Sequence, residues 1–193
     1  MAKSAKQLKG VNMLLGVTGG VAAYKAVAVA SRLTAGGAAV KTVMTENACQ
    51  LVGPKSFEAV TGLAVFTGLW SCPEEYRISH VSLADWADVI VVAPATANII
   101  AKIANGICDD LLSTLLCAAF SKPVLLVPAM NNNMWENPAV QKNVRTVRDM
   151  GFEMTGPVEG RLACGTEALG RMAEPEDIIK VIEKIVSKIK KRK

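Results

Sequence analysis

The chain has 193 residues, 51% of them hydrophobic and 5% aromatic, which suffices for one domain with a substantial core and is short for two. Residues 184–193 carry six positive charges and no negative one, which leaves −1 on the remainder of a chain whose formal charge is +5. A basic face for nucleic acid is therefore not expected, and a solvated helix end accounts for the tail.

No apolar run approaches the length of a bilayer span. The start has no h-region followed by a cleavage site, so neither a membrane nor a leader peptide is expected. Cys49, Cys72, Cys108, Cys117 and Cys164 form no CxxC pair, and His80 is the only histidine. No metal site is expected, and an odd cysteine count without a framework points to a reducing, cytoplasmic setting.

In chain order, residues 11–17 read as a strand and Thr18-Gly19-Gly20 as a turn. An Ala-rich helix follows over 21–33, ended by Gly36-Gly37. A second strand spans 38–44, Thr45 and Glu46 open a short helix, and 54–61 is another. Residues 63–78 read as irregular, with a short helical segment ending at Trp86 and His80 just before it. Residues 88–93 (DVIVVA) lack alternation, as in a strand buried on both faces, and 94–98 is its exit loop.

Helical patterning over 99–119 breaks near Gly106 and places Cys108 and Cys117 in the core. A strand at 124–127 leads into PAMNNNMW at 128–135, read as a loop because three successive Asn are poor helix and strand material. A helix over 138–150 and a last strand at 152–154 follow, and the glycine-containing stretch 156–170 reads as no regular element. Ile178, Ile179, Ile182, Ile185, Val186 and Ile189 form one helical stripe in the terminal segment 175–193. The alternation predicts a single α/β domain, a three-layer, doubly wound parallel sheet of Rossmann or flavodoxin type, with residues 1–10 as a tail.

In such a sheet, ligands bind at the carboxyl ends of the strands. Thr18, Gly19 and Gly20 lie between a strand and a helix, where N–H groups and the helix dipole hold anions. They match neither G-x-G-x-x-G nor a P-loop, and a plain tight turn has the same residues. Pro94, Ala95, Thr96, Ala97 and Asn98 form a second small-residue loop, and the two together suit a mononucleotide such as FMN. His80 admits a structural as well as a catalytic reading. Cys164 is either a small buried hydrophobe or, in its Gly-flanked loop, a reactive thiol.

The order of five motifs settles more. GVTGGVAAYKA (16–26), SHVSLADWAD (79–88), APATANIIAKIANGICDDLL (93–112), PAMNNNMWENP (128–138) and RLACGTEALGRMAEP (161–175) resemble the flavin-containing cysteine decarboxylases. Within them, the likeness is to the group acting on 4′-phosphopantothenoylcysteine in coenzyme A synthesis. The resemblance covers roughly 11–175, and the last two motifs are its specific part.

It implies FMN held by Thr18, Gly19, Gly20, Thr45 and residues Pro94, Ala95, Thr96, Ala97 and Asn98. It implies a substrate clamp of Ala129, Met130 and Asn131, an active-site His80, and Cys164 as proton donor on a closing flap. It also implies a homotrimer, or a dodecamer built from trimers, with flavin near subunit contacts, and no nucleic-acid or membrane partner.

In that chemistry the substrate cysteine is oxidised to a thioaldehyde, loses CO2 to give an enethiol, and is reduced and protonated to the thiol, so the flavin is regenerated. Two positions depart from the family pattern: Ile99, where Thr is common, and Ala168, where the flap carries Gly. Two alternatives stay open: decarboxylation of a C-terminal peptidyl cysteine, and a non-catalytic FMN-binding regulatory subunit. The resemblance fits a free-standing decarboxylase and the decarboxylase part of a fusion with a synthetase alike.

Overall fold

The computed structural model describes residues 8–70, 79–161, 163 and 165–191. Its first strand, β1 (Asn12–Val17), is buried from Met13 onward. It pairs in parallel with β2 (Ala39–Met44) on one side and β4 (Val89–Ala95) on the other. The edge strand β3 (Val65–Phe66) lies beyond β2, inside the stretch expected to be irregular. Two residues are too few to show a periodicity. β5 (Val124–Pro128) and β6 (Glu153–Met154) complete a six-stranded parallel sheet in the order β3-β2-β1-β4-β5-β6. The order reverses between β1 and β4, which makes that junction the switch point of a doubly wound fold.

Alternate residues of each strand feed two cores. Val89, Val91 and Ala93 face one core with Met13, Leu15 and Val17. That face is covered by α1 (Ala23–Ala35), α3 (Pro54–Thr61) and α9 (Pro175–Lys190). Ile90, Val92 and Leu14 face the other core, under α4 (Ser79–Trp86), α5 (Ala97–Asn105), α6 (Leu111–Ala118) and α8 (Pro138–Asp149). All seven residues of β4 are buried, as the lack of alternation predicts. Each fully buried Leu, Ile or Val contributes about 1.5–3 kcal/mol relative to exposure.

The terminal stripe docks as expected, with Ile178, Ile182, Ile185 and Val186 buried against α1. Leu8, inside the expected tail, is buried in the same core, so the chain is anchored earlier than Val11. Ile99 is a core residue as well. Among the described residues no helix is long and apolar enough to cross a membrane.

Two expectations are corrected, for the cysteines and for 156–170, while the break expected near Gly106 is present: 99–119 forms two helices separated by a loop that Gly106 opens with a left-handed cap. Lys102 closes it by pairing with Asp109 and Asp110, each at 2.6 Å, and Asp110 forms a capping box with Ser113. Cys108 and Cys117 are exposed rather than core, because the apolar period of α6 falls on Leu111, Leu112, Leu115 and Leu116. The stretch 156–170 contains most of an antiparallel hairpin, β7 (Val158–Arg161) with β8 (Glu167–Arg171), separate from the main sheet.

Among the described residues the Thr42 hydroxyl of β2 is the one buried side-chain polar atom without a hydrogen-bond partner. Leaving such a group unpaired costs on the order of 1–3 kcal/mol, and Val has nearly the same shape. Thr42→Val is therefore expected to raise unfolding stability by about 1 kcal/mol, read as a higher urea midpoint at unchanged slope; an unchanged or lower midpoint would count against an orphaned hydroxyl.

Candidate active site

The turn after β1 is built around a buried hydroxyl. Thr18 Oγ1 donates to the Pro94 carbonyl at 2.7 Å, and the Thr96 amide donates back to Thr18 Oγ1 at 3.2 Å. Thr18 thus ties the ends of β1 and β4 together at the switch point. The next residue must be small: a Cβ on Gly19 would lie 2.4 Å from the Cβ of Asn47. A Cβ on Gly20 would press on Pro94 and Thr96 at 3.3–3.4 Å. Asn47 belongs to α2 (Glu46–Cys49), whose N-cap Thr45 accepts from the Ala48 amide. α1 starts after Ala22 with no side-chain cap, so its positive dipole end stays available to an anion.

The expected exit loop at 94–98 is shorter than the sequence suggests. Pro94 and Ala95 complete β4, paired with Pro128 across an irregular register. Thr96 is the N-cap of α5, with Ala97 and Asn98 in its first turn. The Thr96 hydroxyl meets the Ile99 amide and so starts the helix early. Of these five residues Thr96 alone lines the cleft described below.

The PAMNNNMW segment is also more regular than expected. Asn131 is the N-cap of α7 (Asn132–Glu136), accepting from the Asn133 amide at 2.9 Å, and Asn137 caps α8 in the same way. Asn is a poor helix interior residue but a strong cap, and composition alone does not separate the two roles. Trp135 packs into the core while Met134 is exposed.

These segments meet beneath the β7–β8 hairpin. The Met130 amide donates to the Gly170 carbonyl at 3.0 Å, which fastens the hairpin over the Asn131 loop. The cleft between them has a volume of about 620 Å3, within the range of small-ligand sites. Its floor is Gly19, Gly20 and Thr96, its side Ala129, Met130 and Asn131, and its roof includes Ala163 and Met172.

Thr18 is buried behind the floor, and Thr45 does not line the cleft. His80 lies in the first turn of α4, half-buried, and does not line it either. Cys164 lies outside the described residues. Ala168 sits in β8 opposite Gly160. No described residue other than glycine has positive φ, so alanine imposes no backbone strain there.

The cleft also holds charges that sequence reasoning missed: Lys25, Arg161 and Arg171. Lys25 Nζ and Arg171 Nη2 both donate to Glu174 Oε1, each at 2.7 Å. The one signal for Lys25 was a cation in the first turn of an otherwise Ala- and Val-rich helix. The hydrogen bond from Lys25, opposed by partial burial and reinforced by Arg171, holds the Glu174 carboxyl below the usual carboxylate range.

A doubly wound α/β protein with a glycine-floored cleft at its switch point is the class that fold and site define. The Flavoprotein family profile matches residues 1–187. The coenzyme A biosynthesis bifunctional protein CoaBC of Bacillus subtilis (strain 168) is 49% identical over 173 residues, covering 90% of this chain and 42% of that protein. The chain thus spans less than half the length of that relative.

A solved PPC decarboxylase, a cysteine-to-serine variant complexed with pantothenoylaminoethenethiol, superposes with a TM-score of 0.81. It is 32% identical, with 91% of this chain and 97% of that one covered. The FMN-dependent cysteine decarboxylase SpaF gives 0.80 at 36% identity, covering 93% and 99%. The chain belongs to the Flavoprotein family, among its cysteine decarboxylases.

A carboxyl held low in the fold contributes stability that is present above its unfolded pKa and is lost as pH falls through the folded one. Glu174 is 44% exposed, so screening limits the effect to under about 1 kcal/mol. Glu174→Gln is expected to lower the urea midpoint slightly near neutral pH and to flatten its decline toward acid; superimposable profiles for variant and wild type would remove the carboxylate from the clamp.

Proposed function

We propose that the protein is an FMN-dependent phosphopantothenoylcysteine decarboxylase, a carboxy-lyase converting 4′-phosphopantothenoylcysteine to 4′-phosphopantetheine in the cytoplasm. The observation that carries this is the meeting of the Gly19–Gly20 turn and the Asn131 loop in one cleft under a fastened hairpin. The relatives named for coenzyme A biosynthesis and PPC decarboxylation support the substrate. Residues 1–193 act in this reading as one decarboxylase domain, with the basic end of α9 as a solvated tail.

The residues present fit a flavin. Gly19 and Gly20 leave the floor without side chains, and α1 offers an uncapped N-terminus beside them. Gly19, Gly20 and Thr96 would hold the flavin directly. Thr18, Thr45, Pro94, Ala95, Ala97 and Asn98 shape the surrounding backbone. When bound, flavin supplies a reversible two-electron acceptor, so oxidation of the substrate thiol and the final reduction cancel.

Asn131 would donate neutral hydrogen bonds to the cysteine carboxylate, with Ala129 and Met130 forming the adjoining wall. A fixed cation there would favour the charged ground state over a transition state in which that charge disperses. Cys164 would protonate the carbon next to the thiocarbonyl. His80 would position or deprotonate near the carboxylate. Because it does not line the cleft of its own chain, this role requires a neighbouring copy, in keeping with a trimer or a dodecamer built from trimers.

Mass spectrometry of the purified yellow protein with phosphopantothenoylcysteine tests the reading, with phosphopantetheine expected without added reductant. Bound flavin and no product would overturn it. Cys164→Ser is expected to accumulate the enethiol, and full turnover would remove its proton-donor role. Asn131→Asp should stop the reaction before CO2 loss, through repulsion of the carboxylate. Gly19→Ala should lower flavin content severalfold, read from the ratio of visible to ultraviolet absorbance.

A further inference from the structure

The phosphorylated coenzyme A precursor and a peptide ending in cysteine present the same thiol and carboxylate. They differ at the far end, where one carries a phosphate dianion and the other a neutral chain. A site made for the first needs cations in the cleft, positioned and only partly neutralised. Lys25, Arg161 and Arg171 supply them.

Their arrangement is not that of loose surface charges. The Lys25 side chain is 13% exposed and reaches Glu174 from the first turn of α1. Arg171 reaches the same carboxylate oxygen from β8. One carboxylate thus fixes two cations and cancels one charge, and each cation uses a single N–H in doing so, leaving two on the ammonium and four on the guanidinium. A carboxylate in this role orients donors without satisfying them.

The hairpin is cut to admit the arginine. Gly160 of β7 has φ +144°, and a Cβ there would lie 2.6 Å from Arg171 Nη1. Any side chain at 160 would occupy the space the guanidinium now fills. Arg161, the next residue, also lines the cleft, is exposed, and has no ion pair among the described residues. The local balance at the cleft wall is three cations against one anion.

We propose that Lys25, Arg171 and Arg161 form the phosphate-binding end of the cleft, with Glu174 and Gly160 as positioning residues, and that this end selects the phosphomonoester substrate over a peptidyl cysteine. The proposal rests on the decarboxylase reading for its substrate, but its chemistry is that of a phosphomonoester dianion. Charge-assisted hydrogen bonds to phosphate are the strong ones, and an arginine offers two in parallel.

The test uses two unreactive ligands that differ only in the phosphate, 4′-phosphopantothenate and pantothenate, titrated calorimetrically into the FMN-loaded protein. Wild type is expected to bind the phosphorylated ligand at least roughly tenfold tighter, the equivalent of one charged hydrogen bond. Lys25→Met and Arg171→Met should each lower the ratio of the two affinities severalfold, with binding of the phosphorylated ligand falling more than binding of pantothenate. Arg161→Met, at an exposed position where folding is not at stake, should remove part of it.

Equal affinity of wild type for the two ligands overturns the proposal, as does a variant that weakens both alike. Loss of flavin from the variants, with the phosphate preference intact in the holoprotein that remains, overturns it in favour of cations that serve the cofactor's own phosphate. A decarboxylation assay run in parallel separates the two readings. Phosphate preference without CO2 release sinks the decarboxylase and leaves the subsite standing.

Discussion

A buried hydroxyl at the ends of the paired strands β1 and β4 ties the two halves of this molecule together where they diverge. Strands after β1 run outward through β2 and β3, and strands after β4 run outward through β5 and β6. Such a reversal opens a crevice between neighbouring strands. Thr18 closes its base by bonding to both the carbonyl of Pro94 and the amide of Thr96. The position of the Gly19–Gly20 turn, the start of α5 and the floor of the cleft all follow from that pair of bonds.

Above this floor the hairpin does what a parallel sheet cannot. The strand-end loops form a trough, and β7 and β8 turn it into a cleft by meeting the Asn131 loop through the Met130–Gly170 hydrogen bond. The hairpin is held a second time where Arg171 and Lys25 converge on Glu174, at the N-cap of α9. α9 therefore has two tasks. Its isoleucine stripe seals one core, and its first residues connect the roof to α1. A charge cluster at that joint serves structure and recognition together, since the bonds that order the cations leave most of their donors unused.

The Gly19–Asn47 contact adds a constraint from the opposite side. It brings α2 against the turn at a distance that no other residue type permits, because a Cβ on Gly19 would collide with Asn47. The floor is defined by missing side chains, and the hairpin above it is held by oppositely charged ones.

Local pattern carried most of the scaffold. The unbroken apolar run of β4, the Ala-rich α1, the isoleucine stripe of α9 and the punctuation at Pro54, Gly62 and Pro138 are properties of a few adjacent residues. The PAMN and ACG motifs marked the site through resemblance. The hairpin escaped because β7 and β8 are short, rich in glycine and charge, and cover a cleft rather than a core, so they lack the alternation that marks a half-buried strand. The asparagine run escaped because a cap and a loop draw on the same residues.

By itself, then, the sequence determined the order of the main strands and helices, the parallel sheet and the family. These depend on hydrophobic period and on short motifs, each contained within one segment. Only the tertiary structure decided which residues share the cleft. Glu174 follows Arg171 by three residues, but Lys25 is far from both in the chain, and nothing near it announces the carboxylate that joins it to Arg171. Contacts of that kind are made by packing α1, β8 and α9 against one another, and they exist only once the chain has folded.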